Sequence, residues 1–217
     1  MRLLWIALLI VAAPAAASAQ VVSPYTGGVY VDPPGSLGMT VLNEQMRSAV
    51  ASSWYDKSAA AKPARRHPIK STDFKGTGKR LMEEEYYRAL GASDEQKKAL
   101  ARVIDGMFTA FEKQGHKNNI AYALAVQIGV AIQIQTGKEV TDARAEKLAL
   151  DLNDALAGDA KFRKLKSVER QKLYESCLIN AALMTTFHQL GKRRNDPAMS
   201  KAATQMASRA LEGFGRK

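Results

Sequence analysis

Asn118-Asn119-Ile120-Ala121-Tyr122-Ala123-Leu124-Ala125-Val126-Gln127-Ile128-Gly129-Val130-Ala131-Ile132-Gln133-Ile134-Gln135-Thr136-Gly137 is a run of twenty residues without a charge. Its length alone would permit a membrane span. The amides of Asn118, Asn119, Gln127, Gln133 and Gln135 are costly in hydrocarbon, and several of the apolar positions are only alanine. A helix that is apolar on nearly all sides is also what the centre of a helical bundle requires. The run is therefore read as a buried central helix, and the rest of the chain as the layer that covers it.

The segments on either side carry the pattern expected of such a layer. Ser93 and Gln96 stand at capping-box spacing. After them Leu100, Val103, Ile104, Met107, Phe108 and Phe111 fall on one helical face, and Gly115 marks the end. Before them Lys79–Leu90 places Met82, Tyr86, Ala89 and Leu90 on one side, stopped by Gly91. Thr141 caps a helix with Ala145, Leu148, Leu152, Ala155 and Leu156 facing inward until Gly158. A short basic piece holds Phe162 and Leu165, and a long helix from Ser167 carries Tyr174, Cys177, Leu178 and Met184 to an end near Gly191. Asp196-Pro197 reads as an N-cap followed by proline at the first helical position, opening a last helix rich in alanine. The expected fold is all-α, an orthogonal or up-down bundle of five or six main helices across residues 77–217.

The first 76 residues are different. Arg2 precedes an unbroken apolar run from Leu3 to Ala13, then Pro14, and Ala17-Ser18-Ala19 before Gln20. This is the layout of a secretory signal over residues 1–19, too short for a membrane span, with no cysteine nearby to receive lipid. The protein is therefore expected to be exported, periplasmic or secreted, with no stable transmembrane anchor once the signal is cleaved. Residues 20–76 form an irregular segment in which Pro24, Gly27-Gly28, Pro33-Pro34, Gly35 and Gly38 prevent a long helix. One short helix fits residues 41–55. From 57 to 80 the chain reads as an exposed basic linker, with Pro63 and Pro68 breaking it and Asp73 its one acidic residue.

The whole chain of 217 residues has a formal charge of +11. The excess sits at the two ends: residues 20–82 carry +5, residues 83–159 carry −4 and residues 160–217 carry +9. A summed field of this kind steers acidic partners. The positions expected to make the contacts are Lys62, Arg65, Arg66 and Lys70 in the linker, Lys161, Arg163, Lys164 and Lys166 in the short basic piece, and Lys192, Arg193 and Arg194. A partner protein or an anionic envelope polymer or surface is the expected partner, and nucleic acid is not.

Catalytic patterns are poorly supported. One cysteine excludes an internal disulfide and any zinc site built from several thiolates. His67, His116 and His188 are scattered, and no H-E-x-x-H pair exists. Cys177 and His188 lie eleven residues apart on one expected helix, about 16 Å along its axis, so the thiol is read as a buried core residue. Gly76-Thr77-Gly78-Lys79-Arg80 lacks the earlier glycine of a phosphate loop, since Asp73 occupies that place. Glu83-Glu84-Glu85 suits an acidic first helical turn better than a carboxylate pair. No cofactor is expected. The leading expectation is a non-enzymatic binding module, with a small cell-envelope hydrolase of unassigned site as the alternative.

Two short motifs, Lys117-Asn118-Asn119-Ile120-Ala121-Tyr122-Ala123 and Arg170-Gln171-Lys172-Leu173-Tyr174-Glu175, give the chain a family likeness. Over roughly residues 75–215 it resembles a family of exported bacterial α-helical proteins known as a domain of unknown function. The resemblance implies a helical fold and export, and no activity or site residue.

Overall fold

A computed structural model of the protein describes residues 67–212. Seven α-helices follow one turn of 3-10 helix at Ile69–Thr72: α1 Glu83–Ala89, α2 Asp94–Glu112, α3 Ile120–Thr136, α4 Asp142–Gly158, α5 Ala160–Lys164, α6 Ser167–Arg194 and α7 Pro197–Glu212. Five are long and two are short, so the all-α bundle holds as expected. The signal sequence, the helix expected over 41–55, and Lys62, Arg65 and Arg66 lie outside the described residues.

The uncharged run forms α3, and every residue from Ile120 to Ile132 is buried. With no charge to bring to water, it occupies the middle and packs against α4, α6 and α7, while α2 lies against α6. Asn119 caps its start by accepting from the Tyr122 N–H, and Gly137 ends it in the left-handed conformation at φ +67°. Its late amides are put to use. Gln135 Nε2 donates to the Thr204 carbonyl and the Ser208 hydroxyl, each at 2.8 Å, tying the end of α3 to α7. Among the described residues no helix is long and apolar enough to cross a membrane.

Local signals placed most helix ends correctly. The Ser93–Gln96 capping box opens α2 with both reciprocal bonds present. The α2 stripe buries Leu100, Ile104, Met107, Phe108 and Phe111, with Val103 at its edge. Thr141 caps α4. Asp196 Oδ1 accepts from the N–H groups of Ala198 and Met199 at the start of α7. Cys177 is buried and unpaired, and burial pushes its thiol up to about 12.

Gly191 is a difference. The sequence suggests that it ends α6, but the helix continues to Arg194 and is capped by Asn195 at φ +51°. Gly191 instead lets the first turn of α7 approach, because a Cβ there would stand 2.8 Å from the Ser200 backbone nitrogen. Gly191→Val is therefore expected to destabilise the protein by about 1–3 kcal/mol through overpacking. Valine gains only a few tenths in helix propensity over glycine, too little to offset that cost. Thermal melting should fall by roughly 2–12 °C. An unchanged melt would show that the α6–α7 crossing is loosely held.

The second half of the expected linker is also different. Residues 67–76, assigned from sequence to the N-terminal segment, pack with the helical body. Thr72 is fully buried, and Phe74 belongs to the core. The segment has little apolar surface, so polar groups of distant helices hold it. Asn153 Nδ2 donates to the Pro68 carbonyl at 3.1 Å, and the His67 N–H donates to Asp154. Asn119 Nδ2 donates to the Ile69 carbonyl at 2.9 Å and to Asp73 Oδ1 at 2.7 Å. The Thr72 hydroxyl lies between Asn119 Oδ1 and Asn153 Oδ1.

Candidate functional site

Directly after this segment, residues 77–82 are clasped from α6. Gln171 Oε1 accepts from the Thr77 N–H at 2.8 Å, while its Nε2 donates to the Lys79 carbonyl at 2.6 Å and to Glu175 Oε1 at 2.7 Å. Glu175 Oε2 accepts from the N–H groups of Leu81 and Met82 at 2.7 and 2.9 Å. One turn further on, Tyr86 donates to Asn180 Oδ1. These buried groups recur along one face of α6, so a single rigid helix fixes the path of the whole 77–86 stretch. Asn119 and its neighbours clasp the chain from one side and Gln171 and Glu175 from the other. The two motifs that carry the family likeness thus meet on the same segment.

Between the clasped turn and the ends of α2 and α6 lies a cleft of about 410 Å³. Its deep wall is aromatic. Tyr174 meets Phe74 edge-on at 5.2 Å and Phe108 at 5.8 Å. The Arg80 guanidinium sits over the Phe108 ring, 3.3 Å from its centroid, with Glu83 and Asp105 each 3.5 Å away. Across the mouth Lys117 pairs with Glu112 at 3.2 Å. Asn118 turns the chain there at φ +59°, a conformation asparagine tolerates better than other side chains. Gly76, Gly78 and Lys79 complete the rim.

Tyr174 is 3% exposed, and its hydroxyl lies beside the Asn118 backbone N–H without a well-formed hydrogen bond. Burial, and then the charge of Glu112, push its ionisation well above the usual tyrosine range. The hydroxyl therefore stays protonated and remains both donor and acceptor.

Beside the cleft sits α5, anchored by fully buried Phe162. Arg170 joins the two regions: it donates to the Phe162 carbonyl at 3.4 Å and to the Asp73 carbonyl at 3.3 Å. Lys161, Arg163, Lys164 and Lys166 are all exposed around this point. Lys70 and Lys75 are exposed on the neighbouring segment, and Lys79 at the cleft rim. None of these seven forms an ion pair among the described residues. Lys192, Arg193 and Arg194 are exposed at the other end of α6, about 39 Å away at helical rise. The expected basic positions therefore divide. Lys70 precedes Asp73, whose carbonyl Arg170 ties to the Phe162 carbonyl of the 161–166 piece, and 192–194 stands apart at the other end of α6.

The remaining chemistry-bearing residues have structural surroundings. His116, just past the end of α2, is buried and stacked on Tyr122 at 3.6 Å, and burial lowers its proton affinity. Burial and then Lys192 lower that of His188, which shares one unbroken helix with Cys177. Glu83 faces Arg80 and Tyr87, whereas Glu85 faces Lys172, so the acidic cluster diverges. Among the described residues no group of three His, Cys, Asp or Glu is placed to hold a metal ion.

Sequence reasoning missed the cleft. Phe74 was read as linker, and Tyr174 as one more core position. The available signal was the placement of Asn118 and Tyr174 within the two family-like motifs. In comparison with known proteins, no curated protein and no solved structure matches the chain. Residues 1–215 match a family of unknown function, DUF6683, and the chain belongs to that family.

Proposed function

We propose that this protein is exported and acts as a non-enzymatic binding module, holding an acidic polymer of the cell envelope on the basic end of its bundle. Export rests on the signal-like residues 1–19. The binding role rests on one observation above all. Lys70, Lys75, Lys79, Lys161, Arg163, Lys164 and Lys166 gather around the N-terminal end of α6 without acidic partners among the described residues. Unneutralised charges on one rigid surface add their fields, and a polymer carrying repeated anions engages several of them at once.

A pulldown from envelope extract tests this reading. At about 0.1 M salt the charges interact over roughly 10 Å, and at about 1 M over roughly 3 Å. The expected result is capture of acidic polymer at the lower salt, release at the higher, and no capture by the Lys161→Glu/Lys164→Glu variant. Capture of a protein that is insensitive to salt and to these substitutions would replace the polymer with a protein partner. Breakdown of the captured material, lost on single His or Glu substitutions, would replace binding with hydrolysis.

A further inference from the structure

We infer that Arg170 is the positioning residue of this basic surface. Its one guanidinium holds the cations of α5 to the segment that carries Lys70 and Lys75, so that a single polymer chain meets both sets at once. This deepens the proposed binding function and rests on it.

The two sets are braced unequally. Lys70 and Lys75 stand on a segment pinned to α3 and α4 by Asn119, Asn153 and Asp154. Lys161, Arg163 and Lys164 stand on α5, which has five residues and commits one fully buried side chain, Phe162, to the core. So short a helix has no stability of its own and depends on tertiary ties. Among the described residues, the hydrogen bonds of residues 160–166 run to neighbours at most four positions away, with the side chain of Arg170 as the exception. Charge works against the piece as well. Lys161, Arg163, Lys164 and Lys166 crowd four positive charges into six residues, and like charges at such spacing repel. The flanking acids, Asp159 and Glu169, accept the backbone N–H groups of Phe162 and Lys166.

Arg170 spans from the braced segment to the unbraced piece. Its Nη1 donates to the Asp73 carbonyl at 3.3 Å and its Nη2 to the Phe162 carbonyl at 3.4 Å, and the guanidinium carbon stands 4.6 Å from the centroid of the Phe162 ring. The fork is planar and rigid, so the two carbonyls cannot part without breaking a bond. Its Nε is buried, and Arg170 forms no ion pair among the described residues. The guanidinium is therefore spent on holding two backbone carbonyls in place, and the polymer meets the cations that it aligns. Joint engagement of two aligned sets makes the second contact intramolecular, which slows release.

The test is the kinetics of the full chain on immobilised polygalacturonate, used as a polymer of repeated carboxylates, at about 0.1 M salt. Arg170→Lys keeps the charge and replaces the fork with a single point. Its association rate should match wild type, since net charge is unchanged, while release should quicken by roughly fivefold, the worth of one net hydrogen bond. In a Lys161→Gln/Lys164→Gln background the same change should quicken release by less than about twofold, because most of the charge that Arg170 positions is gone. An equal factor in both backgrounds would mean direct contact with the polymer or a general loosening, and overturns the inference. So does an Arg170→Lys variant that releases polymer like wild type, or one that loses its cooperative melt. In each of those cases, weaker binding by the Lys161→Gln/Lys164→Gln protein leaves the proposed function standing. Failure of wild type to bind polygalacturonate overturns the two together.

Discussion

Glu175→Leu is expected to lower stability by about 3–5 kcal/mol, the range for removing one partner of a buried charged network. Glu175 is 2% exposed, and its two oxygens receive the N–H groups of Leu81 and Met82 and the amide of Gln171. Leucine fills the space but leaves three buried donors unmet, each of which costs about 1–3 kcal/mol before any relaxation. A domain holds only about 5–15 kcal/mol in total, so this one change approaches the limit of a folded state. The melting temperature should fall by roughly 6–20 °C. Glu175→Gln keeps one acceptor oxygen but turns an amide toward the donors, and should lose about 1–2 kcal/mol. Amide hydrogen exchange localises the effect: the N–H groups of Thr77, Leu81 and Met82 should exchange fastest in the weakened variant. A leucine variant that melts with wild type would mean that residues 77–82 hold their path without the clasp.

The second large effect is at Asn119. Alanine there removes the cap of α3, worth about 1 kcal/mol, and strips the donor from the Ile69 carbonyl and the Asp73 carboxylate. The total loss should be about 2–4 kcal/mol, with faster exchange at Asp73 and Phe74. Asn119→Asp separates the two roles. Aspartate keeps the capping oxygen but sets a second carboxylate against Asp73, where the amide now donates at 2.7 Å. Two adjacent carboxylates favour a shared proton, which raises the carboxyl affinity in the folded state above its unfolded value. The sign of the pH effect follows. Part of the lost stability should return as pH falls through that raised value, which wild type would not show. An aspartate variant as stable as wild type at neutral pH would contradict the pinning role.

How much of this was legible in the sequence depends on the range of each interaction. The α2 stripe, the Ser93–Gln96 box, the Thr141 cap and the Asp196-Pro197 start are settled within one or two turns of chain, and all appear where the pattern put them. The central place of α3 followed from the absence of charge. The clasp was not legible, because Asn119 reaches Ile69 across 50 residues and Gln171 reaches Thr77 across 94. Its contacts are polar, so no hydrophobic period announces them. Pro68, Lys70, Lys75 and the paired glycines suggested an open linker, and only the distant amides bring it into the body. Gly191 misled for a related reason. Glycine marks helix ends in sequence, but here it marks a close approach between helices. The charge profile located the basic tail but merged two separate clusters, because it cannot register that the length of α6 separates 161–166, before its start, from 192–194, at its end.

That separation allows the central claim to be tested by one measurement, the binding isotherm of polygalacturonate at about 0.1 M salt to three forms of the full chain. Each cation near an anionic surface contributes about 1 kcal/mol, so Lys161→Glu/Lys164→Glu should weaken binding by at least about thirtyfold. Lys192→Glu/Arg193→Glu makes the same change in net charge at the far end of α6, and should bind close to wild type. Equal loss in both variants would mean that net charge alone governs association. Loss confined to the 192–194 variant would place the binding surface at the wrong end of the bundle.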